Sequence, residues 1–478
     1  MTIADARKKW LALYVLCLGD LLIVLDISIV NVALPSIRED LGFSEASLAW
    51  VINAYTLTFG GFMLLAGRLG DLFGHRRVFV LGVGLFTVAS LFCGLASSQE
   101  MLVAGRAIQG LGGAVVAAVA LSLIMTLFTE PGERAKAMGV IGFVAAGGGS
   151  IGVLAGGVIT DILSWNWIFL VNLPIGVLVI ALCLVLIPGG SGSRDTKLDV
   201  AGAITVTASL MLAVYAIVNG NEQGWTSVQT LGLLGLAVAG LALFLLIESR
   251  VDSPLMPLGL FKLRSVAASN IVGILWSAAM FAMFFLSALY LQLVLGYSPL
   301  EVGLAFLPAN LIMGAMSLGL SAKFVMRYGI KPPLVAGMGF VAVGLALFAR
   351  APVDGNFAID VVPSMIILGI GIGMAMNPLL LAAMSDVKPE ESGLASGVVN
   401  TSFMLGGALG LAVLASVAAA RTGGSTAPAA LVDGYQAAFL IGTVFAVAAG
   451  VVAAVFLRGG PVPAMDPHAM GETATEVS

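Results

Sequence analysis

Charge is what this sequence lacks most: only 10% of its 478 residues are Asp, Glu, Lys or Arg, while 59% are hydrophobic. Soluble domains carry about 25% charged residues, so a water-exposed fold could not hide this much apolar surface. The 22 Lys and Arg are scattered rather than clustered, which leaves no electrostatic footprint for a nucleic acid. With two His and three Cys there is neither a metal-ligand pattern nor a disulfide framework. Cys17, Cys93 and Cys183 each lie inside an apolar run, where a thiol packs as a small hydrophobe. No Gly-rich loop ends in the Lys of a nucleotide-binding loop, so ATP is not the expected energy source. The run Gly147 to Gly152 has the glycine spacing of a dinucleotide fingerprint, but it sits in an apolar segment with no strand before it. No cofactor, metal or enzymatic activity is expected. No segment between apolar runs is long enough to fold alone, which argues against a sensor with a soluble signalling domain.

What is present is about fourteen apolar runs of roughly 18 or more residues, each able to cross a hydrocarbon core of about 30 Å as a helix. Helices satisfy their own backbone there. The expected fold is all-α and integral to the membrane: a six-span bundle over 1–190, an inserted span pair over 191–265, a second six-span bundle over 266–457 and a disordered tail over 458–478. The first run, from Trp10 to Pro35, has no small-residue cleavage site and reads as a retained span. With the N-terminus placed inside, the basic residues fall on inner segments except Arg38, Arg350 and Arg421, with Arg106 inside a span. That asymmetry predicts fourteen spans with both termini cytoplasmic in the plasma membrane. Arg194, Lys197, Lys388 and Arg458 are among the inner residues that support it.

Ionisable residues within spans are costly and are functional candidates for that reason. They are Asp20, Asp26 and Arg106. At about 1.5 Å per residue, Asp20 falls near the midplane, while Asp26 on span 1 and Arg106 on span 4 reach similar depths in the outer half. A carboxylate and a guanidinium at one depth can pair, either as a structural pin or as a proton-coupling pair. Asp20 has no basic residue at its depth; it reads as a proton site, an attractor of cations or a neutral hydrogen-bonded residue. After span 2, the segment Gly67 to Arg77 carries Gly67, Asp71, Gly74, Arg76 and Arg77, glycines for a turn and charges to clamp helix ends. The segment Ala322 to Lys331 repeats it with Met326 in place of the Asp, the mark of two related halves. Gly148, Gly152 and Gly156, with Gly157 beside them, then Gly369 and Gly373, then Gly406 and Gly410, have small-xxx-small spacing, which lets helices approach closely.

These residues together resemble the fourteen-span drug:proton antiporters of the major facilitator superfamily, of EmrB/QacA type. Leu25-Asp26 followed by Asn31 to Pro35 is similar to the motif specific to that family, and Gly67 to Arg77 to the superfamily's signature loop. Arg106 with Gln109-Gly110 resembles its proton-coupling motif, and Gly148, Gly152, Gly156 and Gly157 its antiporter motif. Ser164 to Phe169 and Asn172 to Pro174 continue the match. The sequence departs where Val153 stands for the usual Pro, where Asn166 lies between Trp165 and Trp167, at Asp20, and at Asn400 to Met404, where a polar pair is frequent. The resemblance implies alternating access between two bundles around a central cavity, with Asp26, Arg106 and Asp20 as proton-coupling residues. The implied function is proton-driven export of small lipophilic, in some cases cationic, compounds such as drugs or antibiotics. The implied partners are that substrate, protons and the lipid bilayer, with a monomer expected. The alternatives are a carrier specific for one metabolite and, more remotely, a membrane sensor or channel.

Overall fold

The computed structural model describes residues 3–128, 130–187, 198–316, 320–387 and 392–457. Arg194, Lys197, Lys388, Arg458 and the expected tail over 458–478 lie outside them. Long apolar helices follow one another along the chain: α1 (Ile3–Leu41), α2 (Trp50–Phe73), α3 (His75–Gly94), α4 (Gln99–Leu127), α5 (Pro131–Ile162), α6 (Asn172–Leu186), α7 (Val200–Gln223), α8 (Val228–Glu248), α9 (Arg264–Leu289), α10 (Pro299–Ala315), α11 (Lys331–Phe348), α12 (Val362–Met384), α13 (Ser392–Thr422) and α14 (Pro428–Phe456). Among the described residues, 12 helical segments are long and apolar enough to cross a membrane; α5 and α10 contribute shorter apolar stretches, Gly147–Ile162 and Pro299–Ala315.

Some helix starts are set by side-chain caps that satisfy orphan backbone N–H groups. Ser98 accepts from the Met101 N–H at the head of α4. Ser298 and Glu301 form a capping box at the head of α10, with Pro299 in the first turn. Several junctions turn on a glycine with positive φ, and two of them occupy matching places in the chain. Gly74, at φ 90°, joins α2 to α3. Gly329, at φ 80°, joins the short helix Ser321–Tyr328 to α11. Left-handed backbone is costly for residues with a Cβ. The segment Gly67 to Arg77, expected as a loop, is therefore helix through Phe73, a one-residue turn at Gly74, and helix again from His75.

Packing repeats with an offset of eight helices. The pairs α1·α5, α1·α6, α2·α4, α3·α4 and α3·α6 recur as α9·α13, α9·α14, α10·α12, α11·α12 and α11·α14. Glycines mark equivalent contacts. A Cβ on Gly110 of α4 would stand 2.2 Å from the Tyr55 carbonyl oxygen of α2, and one on Gly369 of α12 would stand 2.5 Å from that of Ala309 of α10. Gly112 and Gly371, two residues later, meet Phe86 of α3 and Val341 of α11 in the same way. The two bundles join along two seams, α2·α13 and α5·α10. The α7–α8 hairpin stands outside both: α7 covers the α2·α13 seam, and α8 packs on α7.

One apolar core runs from the ends of α1 and α5 and the start of α2 into α9 to α14. The bundles are thus fused at the face of the α1–α2 connection. Cross-bundle hydrogen bonds reinforce this face: Gln292 Nε2 donates to the Val32 carbonyl at 2.9 Å, and Thr422 Oγ1 donates to Glu45 Oε2 at 3.2 Å. A separate core fills the first bundle toward the α2–α3 face.

Candidate functional site

α1 presents two chemically different sides at one level. One side turns into the first bundle and carries Asp26, which is 0% exposed. Arg106 of α4 reaches it, its Nη1 donating to Asp26 Oδ2 at 2.5 Å. The expected pair therefore forms, and both charges lie out of contact with solvent. A buried pair is tolerable only when the remaining donors and lone pairs are satisfied, and here most are. Arg106 Nε donates to the Val51 carbonyl at 2.8 Å, and Nη1 also donates to Gln109 Oε1 at 2.7 Å. Gln109 Nε2 donates to Asp26 Oδ1 at 2.6 Å and to Ser90 Oγ at 2.8 Å. Asn172 Nδ2 donates to Asp26 Oδ1 at 3.2 Å. The guanidinium also lies 4.4 Å from the ring centroid of Tyr55 and 5.7 Å from that of Phe169, where aromatic faces attract a cation. Five helices, α1, α2, α3, α4 and α6, thus meet on one carboxylate–guanidinium unit.

The other side of α1 lines a cavity of about 200 Å³ between the bundles. Val24, Ile27, Ser28 and Asn31 come from α1, Gly149 and Val153 from α5, Met280, Phe281 and Phe284 from α9, and Phe306, Asn310 and Met313 from α10. No acidic or basic side chain lines it. Polarity comes from Ser28, Asn31 and Asn310. Asn31 Nδ2 donates to the Ile27 carbonyl at 3.0 Å, which leaves its oxygen available. Asn310 is buried.

Asp20 stands apart from both groups. It is half-buried, makes no ion pair among the described residues and does not line the cavity. Of the segment after span 2, Asp71 accepts from His75 at 3.1 Å on an exposed surface. Arg76 Nη2 donates to the Leu184 carbonyl at the end of α6 at 2.9 Å, and Arg77 is exposed. Gly74 makes the turn, whereas Gly67 is helical with no close neighbour. The strongest clamp comes from a residue not singled out as a candidate: Arg68 donates to the Ser253 carbonyl at 2.5 Å and the Pro254 carbonyl at 2.6 Å, fastening α2 to the α8–α9 connection.

The glycines of α5 divide between two helices. A Cβ on Gly148, Gly152 or Gly156 would stand 2.8 to 2.9 Å from atoms of α1, while one on Gly157 would stand 2.7 Å from the Pro299 carbonyl of α10. Gly149 and Val153 of the same helix line the cavity. Gln109, Ser90, Tyr55 and Asn172 complete the buried network; Gln109 and Asn172 lie in segments that carry the family resemblance, whereas Ser90 and Tyr55 do not. Gln109 also carries a signal of its own, three residues after Arg106 on the same helix face.

The profile of the Major Facilitator Superfamily matches residues 16–411. Across 94% of this chain and 90% of the relative, the sequence is 40% identical to a puromycin resistance protein of Streptomyces alboniger. It is 38% identical to a cephamycin export protein of Amycolatopsis lactamdurans, over 93% of this chain and 92% of that one. It is 36% identical to a multidrug resistance protein of Mycobacterium tuberculosis, over 87% and 76% respectively. Among solved structures, a nucleoside transporter superposes with a TM-score of 0.67 at 15% identity, covering 94% of this chain and 100% of that one. A bacterial homologue of the lysosomal transporter Spinster superposes with a TM-score of 0.66 at 16% identity, covering 95% and 99%.

Proposed function

Because the chain belongs to the Major Facilitator Superfamily, we propose that it is a proton-coupled exporter of small lipophilic compounds, antibiotics among them, of the fourteen-span EmrB/QacA type. In this reading both termini face the cytoplasm, and the bundles are closed toward the outside at the α1–α2 connection. Relatives of similar length are named for resistance to, or export of, puromycin, cephamycin and several drugs. The observation that carries the coupling is the two-sidedness of α1, with Asp26 held in the first bundle and Val24, Ile27, Ser28 and Asn31 facing the cavity.

A proton on Asp26 removes its charge and weakens the bond to Arg106, which frees α1 to shift against α4. The same shift moves the cavity wall. Substrate and proton thereby compete through one helix without touching. Glycines on α5 let α1 and α10 slide at contact distance. One charge crossing 100 mV supplies about 2.3 kcal/mol before any pH gradient is added. The cavity lining favours neutral, flat or bulky molecules with one or two hydrogen-bonding groups, because no carboxylate is placed to meet a cation. Its Met and Phe side chains form a soft, adaptable surface.

The test is reconstitution into liposomes, with a pH gradient imposed in each direction, following an uncharged fluorescent lipophile together with internal pH. Opposite flows of protons and substrate in wild type, uncoupled in Asp26→Asn, support exchange through α1. Substrate movement that ignores the gradient, with Asp26→Asn and Asp20→Asn unaltered, points to a facilitator or a carrier of one metabolite.

A further inference from the structure

The inserted α7–α8 hairpin carries a second buried acidic group, at the α2–α3 face and away from the Asp26 network. Asp199 precedes α7, and Glu248 ends α8; each is 3% exposed. Each has one oxygen explained by helix-end chemistry. Asp199 Oδ1 accepts from the Gly202 N–H at 2.7 Å, and Glu248 Oε2 accepts from the Met256 N–H at 2.9 Å. The other two oxygens, Asp199 Oδ2 and Glu248 Oε1, are buried and have no donor among the described residues. They converge on one point. A Cβ on Gly202 would stand 2.5 Å from Asp199 Oδ2 and 2.8 Å from Glu248 Oε1, so only glycine leaves room for them to meet.

The charged groups facing Glu248 are Asp199 and, from α2, Arg68. Arg68 uses Nη1 and Nη2 on the Ser253 and Pro254 carbonyls. Arg250 and Asp252, on the same connection, are exposed. Leu65, Ala203 and Leu255, which neighbour Arg68, Gly202 and Met256 along the chain, pack into one apolar cluster. Two ionised carboxylates in such a place repel strongly, and like-charged acids at contact titrate as one unit that retains a proton.

We infer that Asp199 and Glu248 share one proton, forming a proton-binding carboxyl pair that fastens the inner ends of α7 and α8. The protonated acid donates to the free oxygen of the other, a short charge-assisted bond. The single negative charge left faces Arg68. Loss of the proton places two charges against each other where α7 meets α8, and strains the connection that Arg68 ties to α2. The site is independent of the export reading, since it makes no contact with the central cavity or Asp26.

The test uses the full chain in lipid nanodiscs and reads thermal unfolding and the infrared carboxyl region from mildly acidic to mildly alkaline pH. A proton bound more tightly in the folded chain than in the unfolded one stabilises it at low pH, and the benefit is lost as pH rises. Wild type should therefore lose midpoint temperature with rising pH, and show a carboxylic acid C=O band that disappears over the same range. Glu248→Gln keeps an N–H donor for Asp199 but cannot titrate, so it should remove both the slope and the band. Asp199→Asn, equally isosteric, should do the same and provides the reading should Glu248→Gln fail to fold. Variants that retain the wild-type slope and band overturn the proposal. So does a wild-type midpoint that rises with added sodium or magnesium chloride while Glu248→Gln does not respond, which would make the pair a metal-cation site.

Discussion

In the first bundle, α4 passes Gly110 and Gly112 against α2 and α3, and four residues before Gly110 it buries Arg106. In the second, α12 passes Gly369 and Gly371 against α10 and α11 with the same spacing, and four residues before Gly369 it buries Met365. The backbones pack alike, yet the side chains answer to different needs. Among the described residues, α9 to α14 bury no charged group, whereas α1 and α4 bury Asp26 and Arg106 in a network of amide and hydroxyl partners. The same division holds at the turns, where Asp71 and Met326 occupy matching places before Gly74 and Gly329. One scaffold thus serves as a charged half and an apolar half, and the cavity takes its wall from both. In the proposed mechanism the first half senses protons and the second supplies a surface for lipophiles.

The comparison breaks most sharply at Arg106 and Met365. Arg106→Gln leaves Asp26 buried without its cation, and Met365→Arg buries a cation without an anion. Breaking a buried pair costs about 3–5 kcal/mol, so both should unfold at clearly lower temperature in detergent. Met365→Leu, volume-conserving, should cost under about 1.5 kcal/mol. Pairing Arg106→Gln with Asp26→Asn should recover much of the loss; no recovery would mean that Arg106 acts through its carbonyl and aromatic contacts alone.

The glycine stripes come next. Gly152→Ala pushes a methyl toward Ser28 and Leu25 of α1, and Gly406→Ala toward Ile274 of α9. Overpacking costs about 1–3 kcal/mol, so the stability losses should match. Transport should fall further in Gly152→Ala, since that contact adjoins Asp26; equal transport losses would deny the first bundle its special part. Smaller effects are expected in the cavity. Asn31→Leu and Asn310→Leu each remove a hydrogen-bonding group worth about 0.5–1.5 kcal/mol, so KM for a hydrogen-bonding substrate should rise up to about tenfold while purely apolar substrates are unaffected. The smallest stability change belongs to Asp71→Asn, because an exposed pair contributes about 0–1 kcal/mol. A large fall in melting temperature would show that Asp71 is more than a surface contact to His75.

Much of the site was legible because the membrane makes charge expensive. Asp26 and Arg106 stood out as ionisable residues in apolar runs, and helix rise alone placed them at one depth. The repeat was legible at Gly74 and Gly329 for a related reason, since a turn between packed helices demands a residue without a Cβ. Ser90 and Tyr55 gave no such signal, and Asn172 stood out only within the Asn172 to Pro174 segment of the resemblance. Small polar side chains are common in membrane helices, and only the crossing of α2, α3 and α6 aims these at the pair. Asp199 and Glu248 were hidden because each sits at a helix end, where acidic residues are ordinary, and nothing along the chain reveals that the hairpin brings them together.

The sequence by itself determined a chain of apolar helices and the shared level of Asp26 and Arg106, because hydrophobic length and the cost of charge act residue by residue. Tertiary structure decided which side of α1 meets the cavity, which glycines carry the seam between bundles, and that Arg68, rather than the exposed Arg77, clamps the α2–α3 face. Those outcomes follow from helix crossing geometry, which sets the neighbours of each side chain and is not written in the order of the residues along any one helix.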